Sequence, residues 1–188
     1  KILFMEDEIE DKLAVEVEQV PYEQWFTLWV SSNHEQEVID ELKRRNVDCT
    51  WILPTYKRFK KFHQEWHQIV RPMFPGYVFF TTQDIHAFSS AIYSISQFTK
   101  ILTVEKKPIP LAKHEVEFIK KITGENFCSD VSYGFIEGDK VVVTQGPLRF
   151  HEGFIKKIDV HKRLAARELD MFGRNISINM ALEIIYKK

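Results

Sequence analysis

The sequence predicts an α+β protein: an N-terminal α/β sandwich followed by a small β-barrel. Three observations carry that expectation. From Trp25 to Thr123, short strand-like runs alternate with segments of helical period, and no long helical repeat occurs. From Gly138 onward, about five short apolar runs in fifty residues are separated by turn residues, as in a small closed barrel. The third is the stretch Phe74-Pro75-Gly76-Tyr77-Val78-Phe79-Phe80. Pro75 fixes φ and Gly76 admits a backbone angle that other residues resist, so the chain enters a strand sharply. Alternation puts Tyr77 and Phe79 on one face and Val78 and Phe80 on the other, and both faces are apolar. Either two layers of the protein cover this strand, or one face is left for a partner.

The elements follow in chain order. Residues 1–20 form an acidic N-terminal arm, where Leu13, Val15 and Val17 alternate with Ala14, Glu16 and Glu18 as a short strand or a solvated arm. Trp25 to Ser31 reads as a strand. Ser32-x-x-Glu35 has the spacing of a capping box, and Val38, Ile39 and Leu42 then recur at helical spacing. Lys43, Arg44 and Arg45 fall in the last turn, where cations suit the helix dipole. Val47 to Leu53 is a second strand ended by Pro54, and residues 55–71 read as a projecting hairpin or long loop. A strand at about 76–82 follows the Phe74 motif. Asp84 caps a second helix carrying Ile85, Phe88, Ile92 and Ile95. Phe98 to Val104 is a strand, and Glu115 to Thr123 a helix with Val116, Ile119 and Ile122 on one face, stopped by Gly124. Residues 125–136 are polar, lack a clear period and read as a linker. Val141–Val143, Gly153–Ile158, Leu164–Leu169, Ile176–Met180 and Leu182–Ile185 then supply the barrel strands.

Composition bounds the function. Of 188 residues, 44% are hydrophobic and 28% charged, ordinary values for a soluble globular chain. No apolar run approaches the roughly 20 residues needed to cross a membrane. The first residues are acidic, unlike the basic start of a secretory signal, and Cys49 and Cys128 are isolated thiols, so a reducing cytoplasm is the expected location. Net charge is −1 but uneven: −5 over residues 1–20, 0 over 21–137 and +4 over 138–188. A basic C-terminal third can hold nucleic acid although the whole chain is neutral. His63 and His67 stand four apart near Glu65, a zinc spacing on a helix, but their surroundings read as strand and loop. No metal site, no cofactor and no catalytic constellation is expected.

The Phe74 motif lies about fifty residues after the strand start at Trp25-Phe26. Near the C-terminus, Gly138-Asp139-Lys140-Val141-Val142-Val143-Thr144-Gln145-Gly146-Pro147-Leu148 is followed by Gly153-Phe154-Ile155-Lys156-Lys157-Ile158. Together these resemble the NusG family of transcription elongation factors over about residues 24–188. The first motif is similar to that family's N-terminal (NGN) domain, the second to its KOW motif, an SH3-like barrel that binds RNA and proteins. The implied organisation is an arm at 1–20, an NGN domain at 21–124, a linker at 125–136 and a KOW domain at 137–188. Lys156–Asp159, Lys162–Ala165, Phe172-Gly173-Arg174 and Ala181–Ile185 are similar to the LoaP branch of the family, whose members are processive antiterminators. The alternative is the housekeeping branch, whose barrel contacts protein partners. Another branch, RfaH, stores its C-terminal domain as a helical hairpin. Here Gly146, Pro147, Gly153, Gly173 and many β-branched residues favour strands.

The resemblance implies a monomeric binding protein whose partners are RNA polymerase, nascent RNA and upstream DNA. Trp29, Phe74 and Tyr77 match positions that line the surface docking on the polymerase clamp helices. Simple core packing is the other reading of all three. Lys57, Arg58, Lys60 and Lys61, interleaved with Phe59, Phe62 and Trp66, suit a nucleic-acid backbone or an unstacked base, and family resemblance puts this loop near upstream DNA. The other reading is a solvated charged loop. Arg149, His151, Lys156, Lys157, His161, Lys162, Arg163, Arg167 and Arg174 are the cationic set available for RNA.

Overall fold

The structure, a computed structural model, describes residues 23–93, 99–171 and 173–187. The acidic arm and Ile95 lie outside the described residues. In chain order the N-terminal elements are β1 (Phe26–Trp29), α1 (Glu35–Arg44), β2 (Thr50–Ile52), β3 (Thr55–Phe62), β4 (Glu65–Pro72), β5 (Tyr77–Thr81), α2 (Ile85–Tyr93), β6 (Lys100–Ile101), β7 (Thr103–Val104), β8 (Lys107–Pro108) and α3 (Lys113–Thr123). Then come β9 (Cys128–Ser129), β10 (Ser132–Glu137), β11 (Lys140–Gln145), β12 (Ile155–Asp159), β13 (Leu164–Met171) and β14 (Arg174–Lys187).

A four-stranded sheet of order β2-β5-β1-β6 organises the N-terminal half, and β5 lies inside it, antiparallel to both neighbours. Its two apolar faces are both covered. Val78 and Phe80 join Phe26, Leu28 and Val30 under Ile39 and Leu42 of α1 and Phe88 and Ile92 of α2. Phe79 faces the other way, into a cluster with Trp25, Phe74 and Val116, Ile119 and Ile122 of α3. That cluster continues without a break into the C-terminal sheet, through Val143, Leu148, Leu169 and Ile178.

The helix ends show which local signals operate. Asp84 caps α2, its Oδ1 accepting the N–H groups of His86 and Ala87 at 2.9 Å each. Glu115 reaches back to the Ala112 N–H at 2.6 Å and closes the start of α3. The expected capping box at Ser32 and Glu35 does not form. His34 is the cap residue and makes no side-chain cap bond. Glu35 is buried and its Oε1 instead accepts the Gly76 N–H at 2.7 Å, tying α1 to the turn before β5. Gly76 itself has φ +85°, and a Cβ there would stand 3.2 Å from the Val30 carbonyl oxygen. The single strand expected from Phe98 to Val104 is broken: β6 stays on the main sheet, while β7 pairs only with β8.

Residues 55–71 do form a hairpin, with β3 and β4 in unbroken register from Thr55–Pro72 to Phe62–Glu65. The stretch expected as linker is corrected. Cys128 and Ser129 pair in parallel with Thr55 and Tyr56, and β10 is a full strand of the C-terminal sheet. Ser129, Val131 and Ser132 are buried. Polar composition hid this, because both serines serve packing: the Ser132 Oγ accepts the Leu148 N–H at 3.1 Å.

The C-terminal sheet has five strands in the order β11-β10-β14-β13-β12, with β10 and β14 parallel and the rest antiparallel. The two runs Ile176–Met180 and Leu182–Ile185 are one strand, β14. It pairs with β13 in its first half and β10 in its second, so the fifth strand comes from the supposed linker. The sheet curls until its edge strands face each other across a cleft of about 450 Å³ between Lys140-Val141 and Ile155–Ile158. The edges share no ladder, so the expected closed barrel keeps an open seam.

Candidate nucleic-acid interface

The fold separates Trp29 of β1 and Tyr77 of β5 from Phe74, in the turn before β5. Trp29 is 47% exposed and pairs across the sheet with Tyr77, which is half-buried, so these two form a surface patch. Phe74 is corrected to a core residue. It is 1% exposed and edge-on to Phe79 at 5.3 Å, because the turn at Gly76 folds it under α3 rather than outward.

The hairpin and the C-terminal sheet meet. Register places Phe59, Lys61 and Trp66 on one face of the hairpin. The Arg163 guanidinium of the β12–β13 turn lies 4.0 Å from the Trp66 ring and 5.4 Å from Phe59, and forms an ion pair with Glu183 at 3.1 Å. Arg163 therefore holds the two halves together in this conformation. On the same junction, Arg58 of β3 shares a cleft of about 430 Å³ with Lys157 and Lys162. Two residues expected for RNA and one expected for DNA thus line one site. Leu164, Ala166 and Asn179 complete its floor, with Asp159 at its edge. Asp159 accepts the Lys162 N–H at 2.9 Å, and this bond, above the nearby Lys162 charge, holds its carboxyl below the usual range. Lys60 lies over Phe62 at 4.7 Å, and Lys57 pairs with Asp130 at 3.3 Å.

The other cations disperse. Lys156 pairs with Glu168 at 3.8 Å, His161 is exposed in the β12–β13 turn, and Arg174 stands exposed at the far end of β13–β14. Arg149 stacks on Phe150 at 4.7 Å, and Phe150 is 79% exposed. Arg167 is corrected from a surface cation to a buried one, 6% exposed between Phe118 of α3 at 4.1 Å and Phe154 at 4.6 Å. Its Nε and Nη1 have no hydrogen-bond partner, and burial lowers its pKa. Strand alternation could have flagged it, since Ala165, Arg167, Leu169 and Met171 share one face and the other three are buried core residues. Sequence reasoning missed Ala166 and Asn179, because splitting β14 in two hid the row that joins Lys157, Ala166 and Asn179.

His151 packs beside Phe118 and Phe154 at ring distances of 6.4 Å each. Burial first, then the Arg167 and Lys121 charges, lower its pKa from the ordinary 6.5. A depressed histidine pKa means that the unfolded chain binds the proton more readily. The stability His151 allows is therefore complete above 6.5 and lost as pH falls from there through its folded value. A melting series from about pH 7.5 to about pH 5 should show a steeper loss for the wild type than for His151→Gln, and equal slopes would remove His151 from the acid response.

A family model described as transcription termination factor NusG matches residues 23–120. The chain belongs to the NusG family. The transcription termination/antitermination protein NusG of Halalkalibacterium halodurans is 25% identical over 173 residues, covering 87% of this chain and 97% of that protein. The NusG of Staphylococcus epidermidis is 24% identical over 181 residues, with 90% and 98% covered. A solved structure, concerning domain interaction in Thermotoga maritima NusG, is similar with a TM-score of 0.44 at 17% identity, covering 85% of this chain and 93% of that one. The family and these relatives are named for transcription termination and antitermination. Among the described residues, no group of three His, Cys, Asp or Glu could hold a metal ion, and no helix is long and apolar enough to cross a membrane.

Proposed function

We propose that this NusG-family protein is an elongation factor of the LoaP type, a processive antiterminator that binds RNA polymerase through its N-terminal half and RNA through its C-terminal sheet. The observation that carries the reading is the junction cleft, where Arg58, Lys157 and Lys162 converge. Three cations lining one cleft from two sides attract phosphate, and bound RNA beside the polymerase would favour the elongating state over the terminating one. The exposed Trp29 beside the half-buried Tyr77 is the polymerase-facing patch, because a cross-strand aromatic pair held on a rigid sheet is the kind of anchor that interfaces use. Upstream DNA is reached by Lys60 and Lys61 at the tip of the hairpin, both exposed. The functional units are an N-terminal domain ending near 124 and a C-terminal one that must include β10.

The housekeeping reading is favoured by a different observation, the exposed Phe150 and Phe154, which suit a protein partner. RNA affinity of the full chain across a salt series separates the two. RNA hairpins are expected to bind with strong salt dependence, and Lys157→Ala/Lys162→Ala to reduce the slope by about two, one per lost phosphate contact. No binding of any RNA by the wild type would leave the housekeeping reading.

A further inference from the structure

The junction cleft holds more than positive charge. Its row across three strands runs Lys157, Ala166, Asn179, fixed by the register of β12 with β13 and of β13 with β14. Ala166 is the short member between two long ones, so the row has a depression at its centre. The next row begins with Asp159 and Leu164. The cleft of about 430 Å³ falls within the roughly 300–1,000 Å³ typical of small-ligand pockets, room for a nucleotide and not for a helix. Across from this sheet, the buried Nε of Arg58 has no acceptor within the protein.

We infer that the cleft receives one unpaired nucleotide of RNA, its phosphate beside Arg58, Lys157 and Lys162 and its base edge against Asn179 and Asp159. This rests on the RNA-binding reading above and specifies what that site selects. A purely electrostatic groove needs only cations. Here an apolar floor of Leu164 and Ala166 is offered to a base, and two hydrogen-bonding side chains stand at its edge. The bases of a paired A-form helix are not presented to such a pocket, whereas a bulged or looped nucleotide is. The side chains also imply which base. Asn179 donates and accepts, but the Asp159 carboxylate only accepts. Lys162 engages both of its oxygens, the N–H on Oδ1 at 2.9 Å and Nζ near Oδ2 at 3.5 Å, and each oxygen keeps a second lone pair for a base. Adenine, cytosine and guanine offer Asp159 an exocyclic amino donor, whereas uracil offers only its ring N3–H, flanked by two carbonyl oxygens that a carboxylate repels. The cleft therefore prefers an amino-bearing base to uracil.

The test uses the full chain and short RNA duplexes, fully paired or carrying one bulged A, C, G or U, with affinity read by fluorescence anisotropy at fixed salt. Bulged A, C or G is expected to bind about ten-fold tighter than the paired duplex, with bulged U between them. Asp159→Asn, which replaces the acceptor-only group with one that also donates, should abolish the preference for A, C or G over U, while Asn179→Ala, an exposed position, should weaken every bulged RNA alike. Ala166→Leu, which fills the depression without altering charge, should remove the preference for a bulge. Equal wild-type binding of paired and bulged RNA, or a base preference untouched by Asp159→Asn, would overturn the inference and leave RNA binding intact. Absence of binding to every RNA would overturn both.

Discussion

Phe80→Ala is expected to destabilise the protein by about 3–5 kcal/mol, the range for removing a large aromatic from a core. Phe80 is fully buried on the central strand β5. Its ring stacks on Phe88 at 3.9 Å and lies 5.8 Å from Phe26 and 5.7 Å from Trp51. Both neighbouring strands are hydrogen-bonded to β5, so the backbone cannot close on the cavity. Urea unfolding should show a lower midpoint with the slope unchanged. Tyr93→Ala, which removes a ring that is 92% exposed, is the control and should stay within about 0.5 kcal/mol. A similar small loss for Phe80→Ala would mean that the cluster repacks and is not the centre of the sheet.

Gly146→Ala should cost nearly as much for a different reason. Gly146 has φ +93°, and an added Cβ would sit 2.6 Å from the Ser132 Cα and 2.7 Å from the Val131 carbonyl oxygen. These are backbone atoms, so no rotamer relieves the clash, and the start of β10 must move. Left-handed strain of about 1–2 kcal/mol adds to about 1–3 kcal/mol of overpacking, giving a loss of roughly 2–5 kcal/mol. Gly153→Ala meets open space and has no positive φ, so it should be neutral or stabilise by about 0.4–1 kcal/mol. Thermal melts of the pair decide the matter, and equal behaviour would show that the turn at 146 shifts freely.

Much of this was legible in the sequence where a local rule matched the tertiary demand. The Asp84 cap, the α3 face of Val116, Ile119 and Ile122, the 55–71 hairpin and the doubly covered β5 all follow from spacing and residue type. The failures share one cause: a long-range partner took a group that local pattern assigned elsewhere. Glu35 had the spacing for a capping box, and the Gly76 N–H took it instead. Ser129 and Ser132 looked like linker and are buried in pairing strands. Arg167 looked like an RNA contact and stacks inside between two phenylalanines. The junction cleft brings together residues about a hundred positions apart in the chain, which no window of the sequence could display.

The parallel pairing of β10 with β14 has a consequence for how the chain is made. β10 is the first strand of its sheet and β14 the last, and Ser132 meets Leu182 across fifty residues. A ribosome releasing about 5–20 residues per second leaves β10 without that neighbour for roughly 2–10 s after it emerges. Meanwhile the Phe79 side of the N-terminal sheet lacks Leu169 and Ile178, the residues that extend its cluster. The nascent chain thus carries an open strand edge and a greasy face until β14 emerges, and that is when a chaperone would find it. A nonsense codon at the start of β14 would leave β10 without that neighbour and the cluster without Ile178 for good, so such a truncation should be insoluble rather than merely inactive.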